Sequence, residues 1–194
     1  MRVIILFMGS SGCARNETLK LTIQDFINAT NDYHQRDNIY DVLNELKNRN
    51  DIVPVFRTKR HKTNKYYYTF CSPEATSEII NYLLTIKKPI ESENLLFKIN
   101  RSYFNYSFKT INNTLGLGKV GTYNGFRSHM MRKFHASSLY NNGMNLGKIN
   151  ALQGKAKNIT DEFYFMENPD DLKKVYIGAM DCLTINLDVN NYGY

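Results

Sequence analysis

The chain has 194 residues, 42% of them hydrophobic, which is enough to bury an ordinary core as one domain or two very small ones. It carries 25 lysines and arginines against 18 aspartates and glutamates, and the resulting net charge of +7 is compatible with a nucleic-acid partner without establishing one. Its three cysteines lie far apart, which argues against a disulfide framework or a zinc site and for a reducing cytosol.

The first predicted element is a buried helix. Its apolar run, VIILFM at 3–8, is too short to span a bilayer, and no signal-peptide cleavage pattern follows it. The run begins abruptly, so we expect that an N-terminal part of the protein is missing from this chain. After the break GSSGC at 9–13, apolar residues recur at helical spacing over 19–27 and again over 39–46, which predicts further helices there.

The next predicted element is a β-hairpin near 52–70. Two β-prone runs, IVPVF and YYYTF, flank the polar stretch RTKRHKTNK, so the hairpin has a basic tip. Ser72 and Pro73 form a favourable N-cap and first turn for a helix that carries apolar residues to Leu84, and Pro89 closes this stretch.

The second half of the chain is predicted to be mainly helical. Apolar residues from Phe104 to Leu115 mark one helix, and the segment GLGKVG that follows it resembles a phosphate-binding loop only superficially. It follows a helix rather than a strand and lacks a Ser or Thr after the lysine, so a helix cap and turn is the better interpretation. A helix that contains HMMR follows and stops near Gly143, a short helix with Leu146, Ile149 and Leu152 ends at Gly154, and another helix begins at Asn168–Pro169.

The final run, TINLDV at 184–189, alternates like a strand. We find no internal repeat and no low-complexity linker. The elements together predict a single, mainly helical α+β domain over 1–194, with one small antiparallel sheet formed by the hairpin.

Two basic segments are candidates for binding an anion. In the sequence HMMR, His129 and Arg132 are three residues apart and share a helix face, with Lys133 and His135 close by. Arginine is well shaped to bind phosphate. The hairpin tip crowds further cations together: Arg57, Lys59, Arg60, His61, Lys62 and Lys65. Solvated loop charge and contact with a nucleic-acid backbone both explain such a tip.

Lys155 and Tyr164 follow in the segment LQGKAKNITDEFYF. With these residues in order, the chain resembles the catalytic domain of the tyrosine recombinases, the phage integrase family. That family's pattern is an arginine in a G-x-R-x-x-E-x-x-x-L-T segment, a lysine in a β-hairpin, H-x-x-R, Gly-His and a nucleophilic tyrosine. The matching stretches are SGCARNETLKLTIQDF, RHKTNKYYYTFCSPEA, SHMMRKFHASSLYNNGMNLGKINALQGK and TDEFYF.

The resemblance covers residues 3–180, and its details are most similar to the archaeal integrases. It implies a catalytic-domain fold, with the separate N-terminal core-binding domain absent from this chain. It also implies these catalytic residues: Arg15, Lys62, His129, Arg132, Lys155 and Tyr164. Lys62 best matches the pattern K-T-x-x-x-Y, with Lys59 as the alternative. Contacts to the DNA backbone are expected from Lys59, Arg60, Lys65, Arg127 and Lys133.

The chain departs from the family pattern at two positions. Aligned on Glu17, the family's first arginine falls on Ala14, and Arg15 comes one residue late, an offset of about 100° on a helix. We expect the preceding turn to be rearranged so that Arg15 still reaches the phosphate. Lys155 stands where the family usually has His or Trp, and a lysine can still donate to a phosphate oxygen.

The resemblance implies a site-specific recombinase or integrase that cleaves and rejoins double-stranded DNA through a 3′-phosphotyrosyl intermediate, without metal or nucleotide cofactor. It implies self-association into a synaptic tetramer on DNA, whereas the isolated domain is expected to be a monomer or weak dimer. The expected location is the cytoplasm, at the nucleoid, with no membrane association.

Two alternatives remain open from the sequence. The first is a catalytically impaired DNA-binding module of the same fold, and the second is an unrelated basic protein in which these residues lie scattered. Tyr176 is the next candidate nucleophile, but it lies on the apolar side of the last helix and is expected in the core. That helix is expected to pack on its own domain rather than on a neighbouring protomer.

Overall fold

The computed structural model describes residues 1–155 and 168–185. Its α-helices are α1 (Arg2–Ser11), α2 (Arg15–Thr18), α3 (Ile23–Ala29), α4 (Ile39–Leu46), α5 (Pro73–Leu84), α6 (Arg101–Thr114), α7 (Ser128–Asn141), α8 (Leu146–Leu152) and α9 (Pro169–Ile177). Short 3₁₀ turns lie at Asn31–Tyr33 and Met180–Leu183. The strands are β1 (Val55–Lys59), β2 (Tyr66–Phe70), β3 (Lys119–Val120) and β4 (Tyr123–Asn124).

The predicted hairpin is confirmed as an antiparallel pair of β1 and β2, with Val55 opposite Phe70 and Lys59 opposite Tyr66. Side chains alternate across β1, so Phe56 and Thr58 are buried whereas Arg57 and Lys59 are exposed. The alternation places two cations of the hairpin on its solvent face.

The segment after α6 contains a second, two-residue antiparallel pair, β3 and β4, which the sequence did not predict. Gly116, Gly118 and Gly121 all adopt positive φ, which lets the chain end the helix and turn back tightly. The predicted cap and turn is therefore confirmed, and the added pair is too short to show an alternating pattern.

The central helix of the core is α1, whose side chains are buried almost all round. Phe7 contacts Phe56 of the hairpin and Phe97, with ring centroids 5.3 and 5.5 Å apart. Apolar residues of α3, α4, α5 and α6 complete this cluster. A second buried cluster joins Phe70 of β2 to residues of α7, α8 and α9. The hairpin thus contributes one aromatic ring to each cluster.

Helix α9 packs on its own domain, as predicted. Tyr176 is fully buried, its hydroxyl donates to the carbonyl oxygen of Ser10 at 2.9 Å, and its ring lies 5.3 Å from that of Phe70. The expectation that Tyr176 belongs to the core is therefore confirmed. Lys173 of the same helix pairs with Asp32 at 2.7 Å.

Several predicted details need correction. The helix expected over 19–27 begins only at Ile23, because Thr22 caps it by accepting from the N–H of Asp25 while the Asp25 carboxylate accepts from the N–H of Thr22. The predicted apolar faces of three helices also include residues that the structure exposes, and these are Leu84, Leu115 and Val175. The predicted strand at 184–189 lies largely outside the described residues.

None of the described helices combines the length and the apolar character needed to cross a bilayer. All three cysteines are free thiols, with Cys13 and Cys71 buried.

Candidate active site

The start of α2, the hairpin tip and the start of α7 enclose a cleft of about 330 Å³. Four of the expected catalytic side chains line it: Arg15, Lys62, His129 and Arg132. They come from three segments far apart in the sequence, so the fold brings them together. Ala14, Glu17 and Arg60 line the same cleft.

Arg132 on α7 is the most firmly held of these side chains, and it is only 6% exposed. Its guanidinium donates to the carbonyl oxygen of Gly12 at 2.6 Å and to that of Gln153. The side-chain amide of Gln153 donates back to the carbonyl oxygen of Arg132 at 2.9 Å and lies 3.1 Å from Nδ1 of the buried His135. Burial, and then the charge of Arg60, lower the pKa of Arg132.

The position of Gly12 depends on its lack of a side chain. Its φ is +67°, and a Cβ added there would lie 2.7 Å from Nδ1 of His135. Glycine therefore permits both the left-handed turn after α1 and the close approach of α7. The left-handed turn and the close approach of α7 together place the Gly12 carbonyl oxygen where it accepts a hydrogen bond from Arg132.

Arg15 reaches the same cleft from the first turn of α2, next to Ala14, on which the sequence comparison places the family's arginine. Its Nη1 donates to Oδ1 of Asn105 on α6 at 3.0 Å, and its Nε is buried with no hydrogen-bond partner among the described residues. Burial, and then the charge of Arg101, lower the pKa of Arg15. A hydrogen bond thus holds the Arg15 side chain against α6.

Arg60 differs from the exposed cations around it at the hairpin tip. Its side chain is only 13% exposed, and its Nη1 lies 3.1 and 3.2 Å from the two carboxylate oxygens of Glu17, whose side chain is 2% exposed. The same carboxylate accepts from the main-chain N–H of Ala14 at 2.7 Å. The DNA contact predicted for Arg60 stays a prediction, and its low exposure shows that most of its side chain is packed against the protein.

The two candidate hairpin lysines differ in location. Lys62 is exposed and lines the cleft. Lys59 lines a neighbouring cleft of about 480 Å³, and its Nζ lies 5.5 Å from the ring centre of Tyr66. The geometry therefore favours Lys62 as the lysine that acts in the cleft containing Arg132.

His129 lies exposed beside the cleft, one helix turn before Arg132. Partial burial lowers its pKa from the ordinary value of 6.5, and nearby cations lower it further: Arg127, Lys133, Arg132 and Lys62. A neutral imidazole at neutral pH can accept a proton. The guanidinium of Arg127 is itself stacked 4.2 Å from the ring centre of Tyr123.

Lys155 follows a left-handed turn at Gly154, where an added Cβ would lie 2.4 Å from the Tyr67 ring. Burial lowers the pKa of Lys155, and the positive charges of Arg132 and Arg60 lower it further. Tyr164 lies outside the described residues.

The sequence did not predict the residues whose contacts hold the side chains of the cleft in position. Glu17 served only as an alignment landmark, yet it is the carboxylate that pairs with Arg60. Gln153 and Gly12 carry no local signal of their contacts with Arg132, because those contacts join segments 21 and 120 residues away.

The architecture is the catalytic-domain fold of the tyrosine recombinases. The solved structure of XerA recombinase is 19% identical, with a TM-score of 0.53 over 91% of this chain and 56% of that chain. XerH site-specific recombinase, in its post-cleavage complex with the palindromic difH substrate, is 21% identical, with a TM-score of 0.57 over 89% of this chain and 43% of that chain.

The sequence model of the phage integrase family matches residues 1–168, and the chain belongs to that family. It spans about half the length of the solved recombinases it resembles. No curated protein sequence matches it.

The turn at Gly12 yields a stability prediction. Gly12→Ala combines left-handed strain of about 1–2 kcal/mol with a collision against His135, so we expect a larger loss, about 3 kcal/mol of unfolding free energy in urea. Gly116→Ala is the matched control, because Gly116 has φ +62° but open space around its Cβ position. Equal losses in the two variants would contradict the close packing of α7 on this turn.

The lowered pKa of His129 yields a binding prediction. An anion in the cleft favours the imidazolium, so sulfate, whose charge is constant at these pH values, should bind more tightly as the pH falls from 8 to 5.5. Sulfate should in turn raise the pKa of His129 in an NMR titration. His129→Gln should remove most of the pH dependence, and an unchanged dependence in that variant would assign it to another group, such as His61.

Proposed function

We propose that this chain is the catalytic domain of a site-specific DNA recombinase or integrase, which cleaves and rejoins strands through a 3′-phosphotyrosyl intermediate. The observation that carries this proposal is the gathering of Arg15, Lys62, His129 and Arg132 in one cleft of a phage integrase family member. A chance distribution of basic residues, as in an unrelated protein, would leave these side chains scattered.

The arginines supply the charge that the reaction needs. The phosphate gains negative charge as it becomes pentavalent, and guanidinium groups stabilise it by charge-assisted hydrogen bonds. The Arg132 guanidinium is oriented in advance by its bonds to Gly12 and Gln153, so little reorganisation accompanies the reaction. Arg15 lines the same cleft from the α2 side and adds its positive charge there, although its Nη1 is hydrogen-bonded to Asn105.

The proposed nucleophile is the hydroxyl of Tyr164. Its oxygen forms a bond to phosphorus while the bond from phosphorus to the 5′ oxygen breaks, and a proton must reach that leaving oxygen. We assign this proton to Lys62 and proton movement at the tyrosine or phosphate to His129. Lys155, with its lowered pKa, is a further donor to the phosphate. Attack by another strand's 5′ hydroxyl reverses the step and releases the tyrosine.

The partner that fits this cleft is double-stranded DNA. We assign contacts with the phosphate backbone to the exposed Lys59, Lys65 and Lys133 and to the partly buried Arg127. XerH, which shares the fold, was solved with a difH DNA substrate. Assembly into a tetramer on DNA remains a prediction from the family resemblance.

A second candidate function is a DNA-binding module of the same fold with impaired catalysis. Ala14 at the family's arginine position and Lys155 at the His or Trp position favour it. Under this alternative the cleft holds a DNA phosphate but forms no covalent bond to it.

A covalent-capture experiment separates the two functions. The chain is incubated with nicked duplexes of randomised sequence, which trap the intermediate because the cleaved short strand diffuses away, and adducts stable to denaturation are isolated and sequenced. We expect adducts with the natural protein and with Tyr176→Phe, the matched buried tyrosine, and none with Tyr164→Phe.

Salt-sensitive binding to the same duplexes without any adduct would support the DNA-binding module instead. An adduct that persists in Tyr164→Phe and disappears in Tyr176→Phe would contradict the assignment of the nucleophile.

A further inference from the structure

The cleft contains a guanidinium group that the family pattern does not place there. The pattern calls for an arginine at position 14, where this chain has alanine. Ala14 lines the cleft, so its small side chain leaves space on that wall. Arg60, from the hairpin, lines the same cleft and is bound to the carboxylate of Glu17, which lies three residues after Ala14.

Hydrogen bonds to Glu17 fix the position of the Arg60 side chain. Nη1 of Arg60 lies between the two carboxylate oxygens of Glu17, at 3.1 and 3.2 Å. The Glu17 carboxylate is itself held by the main-chain N–H of Ala14 at 2.7 Å. One nitrogen of the guanidinium is thus used on Glu17, and arginine carries further N–H donors on its other nitrogens.

Electrostatic coupling supports this placement. Arg60 lowers the pKa of both Arg132 and Lys155. By contrast, the charge that lowers the pKa of Arg15 is that of Arg101, and the Arg15 guanidinium donates to Asn105 on α6. Arg60 and Arg15 thus line the same cleft, but only the charge of Arg60 acts on Arg132 and Lys155, and the Arg15 guanidinium is bonded to α6.

We propose that Arg60 contacts the scissile phosphate together with Arg132, and so supplies the guanidinium that the family pattern places at position 14. Glu17 is then a positioning residue that holds Arg60 against the cleft wall. This inference rests on the proposed function, because it assigns a second clamp to the same phosphate site.

A purely structural role is the competing interpretation. Arg60 could serve only to neutralise the buried Glu17 carboxylate and to fasten the hairpin to α2. Removing Arg60 alone cannot distinguish the two roles, because it would leave an unpaired carboxylate in the cleft that repels any anion. The variant Arg60→Gln/Glu17→Gln removes both charges of the pair and leaves two groups that can hydrogen-bond to each other.

The experiment is an NMR titration of the folded chain with sulfate, followed at the amides of residues 14–17 and 128–132. The variants are Arg132→Gln, Arg60→Gln/Glu17→Gln and the control Arg57→Gln, which removes an exposed cation from the same hairpin. Urea unfolding establishes that each variant is folded.

If Arg60 contacts the anion, the double variant should bind sulfate about tenfold more weakly or worse, as expected for a lost charge-assisted hydrogen bond, and Arg57→Gln should change binding by less than about twofold. Affinity in the double variant equal to that of the natural chain, together with a loss in Arg132→Gln, would overturn the role of Arg60 and leave the proposed function intact. Failure of the natural chain to bind sulfate in the cleft would count against both.

Discussion

The site depends on the hydrogen bonds made by one buried group, the guanidinium of Arg132. It donates to the carbonyl oxygens of Gly12 and Gln153, which are the C-cap residues of α1 and α8. The last carbonyl groups of a helix have no partner within the helix, and the helix dipole favours a cation at that end. One side chain thus satisfies two helix ends and gains an environment suited to its charge.

This arrangement also limits the charge repulsion within the cationic cleft. Burial lowers the pKa values of Arg132 and Lys155, and the positive charge of Arg60 lowers both of them further. The carbonyl dipoles offset part of this repulsion around Arg132, and the Glu17 carboxylate offsets it around Arg60. The remaining excess of positive charge is available to an anion, and a phosphodiester in a DNA backbone meets that requirement.

Much of the scaffold could be predicted from local patterns. Alternation in β1 and β2, the Ser72–Pro73 start of α5 and the apolar spacing of α4 each depend on a few neighbouring residues. The order of the basic residues also predicted which segments would meet, because it matched a family pattern. These predictions succeeded where the information lies within one element or within a known order of elements.

The orientation of individual charges could not be predicted in the same way. In the run RTKRHKTNK every cation looks equally solvated, yet Arg60 is turned inward by a carboxylate 43 residues earlier in the chain. The link between Arg132 and Gly12 joins residues 120 apart and depends on a left-handed turn that only the folded chain reveals. Partners far away in the sequence determine the orientation of these side chains, so a local pattern cannot predict it.

The most direct test is the unfolding free energy of Arg132→Lys in urea. Lysine keeps the charge but cannot donate to both carbonyl groups in the same geometry, so the account predicts a loss of about 2 kcal/mol or more. Lys133→Gln, on the exposed side of the same helix, should change stability by less than about 0.5 kcal/mol. If the unfolding free energy of Arg132→Lys equals those of the natural chain and the control, the claim that this guanidinium holds the two helix ends and the site together is contradicted.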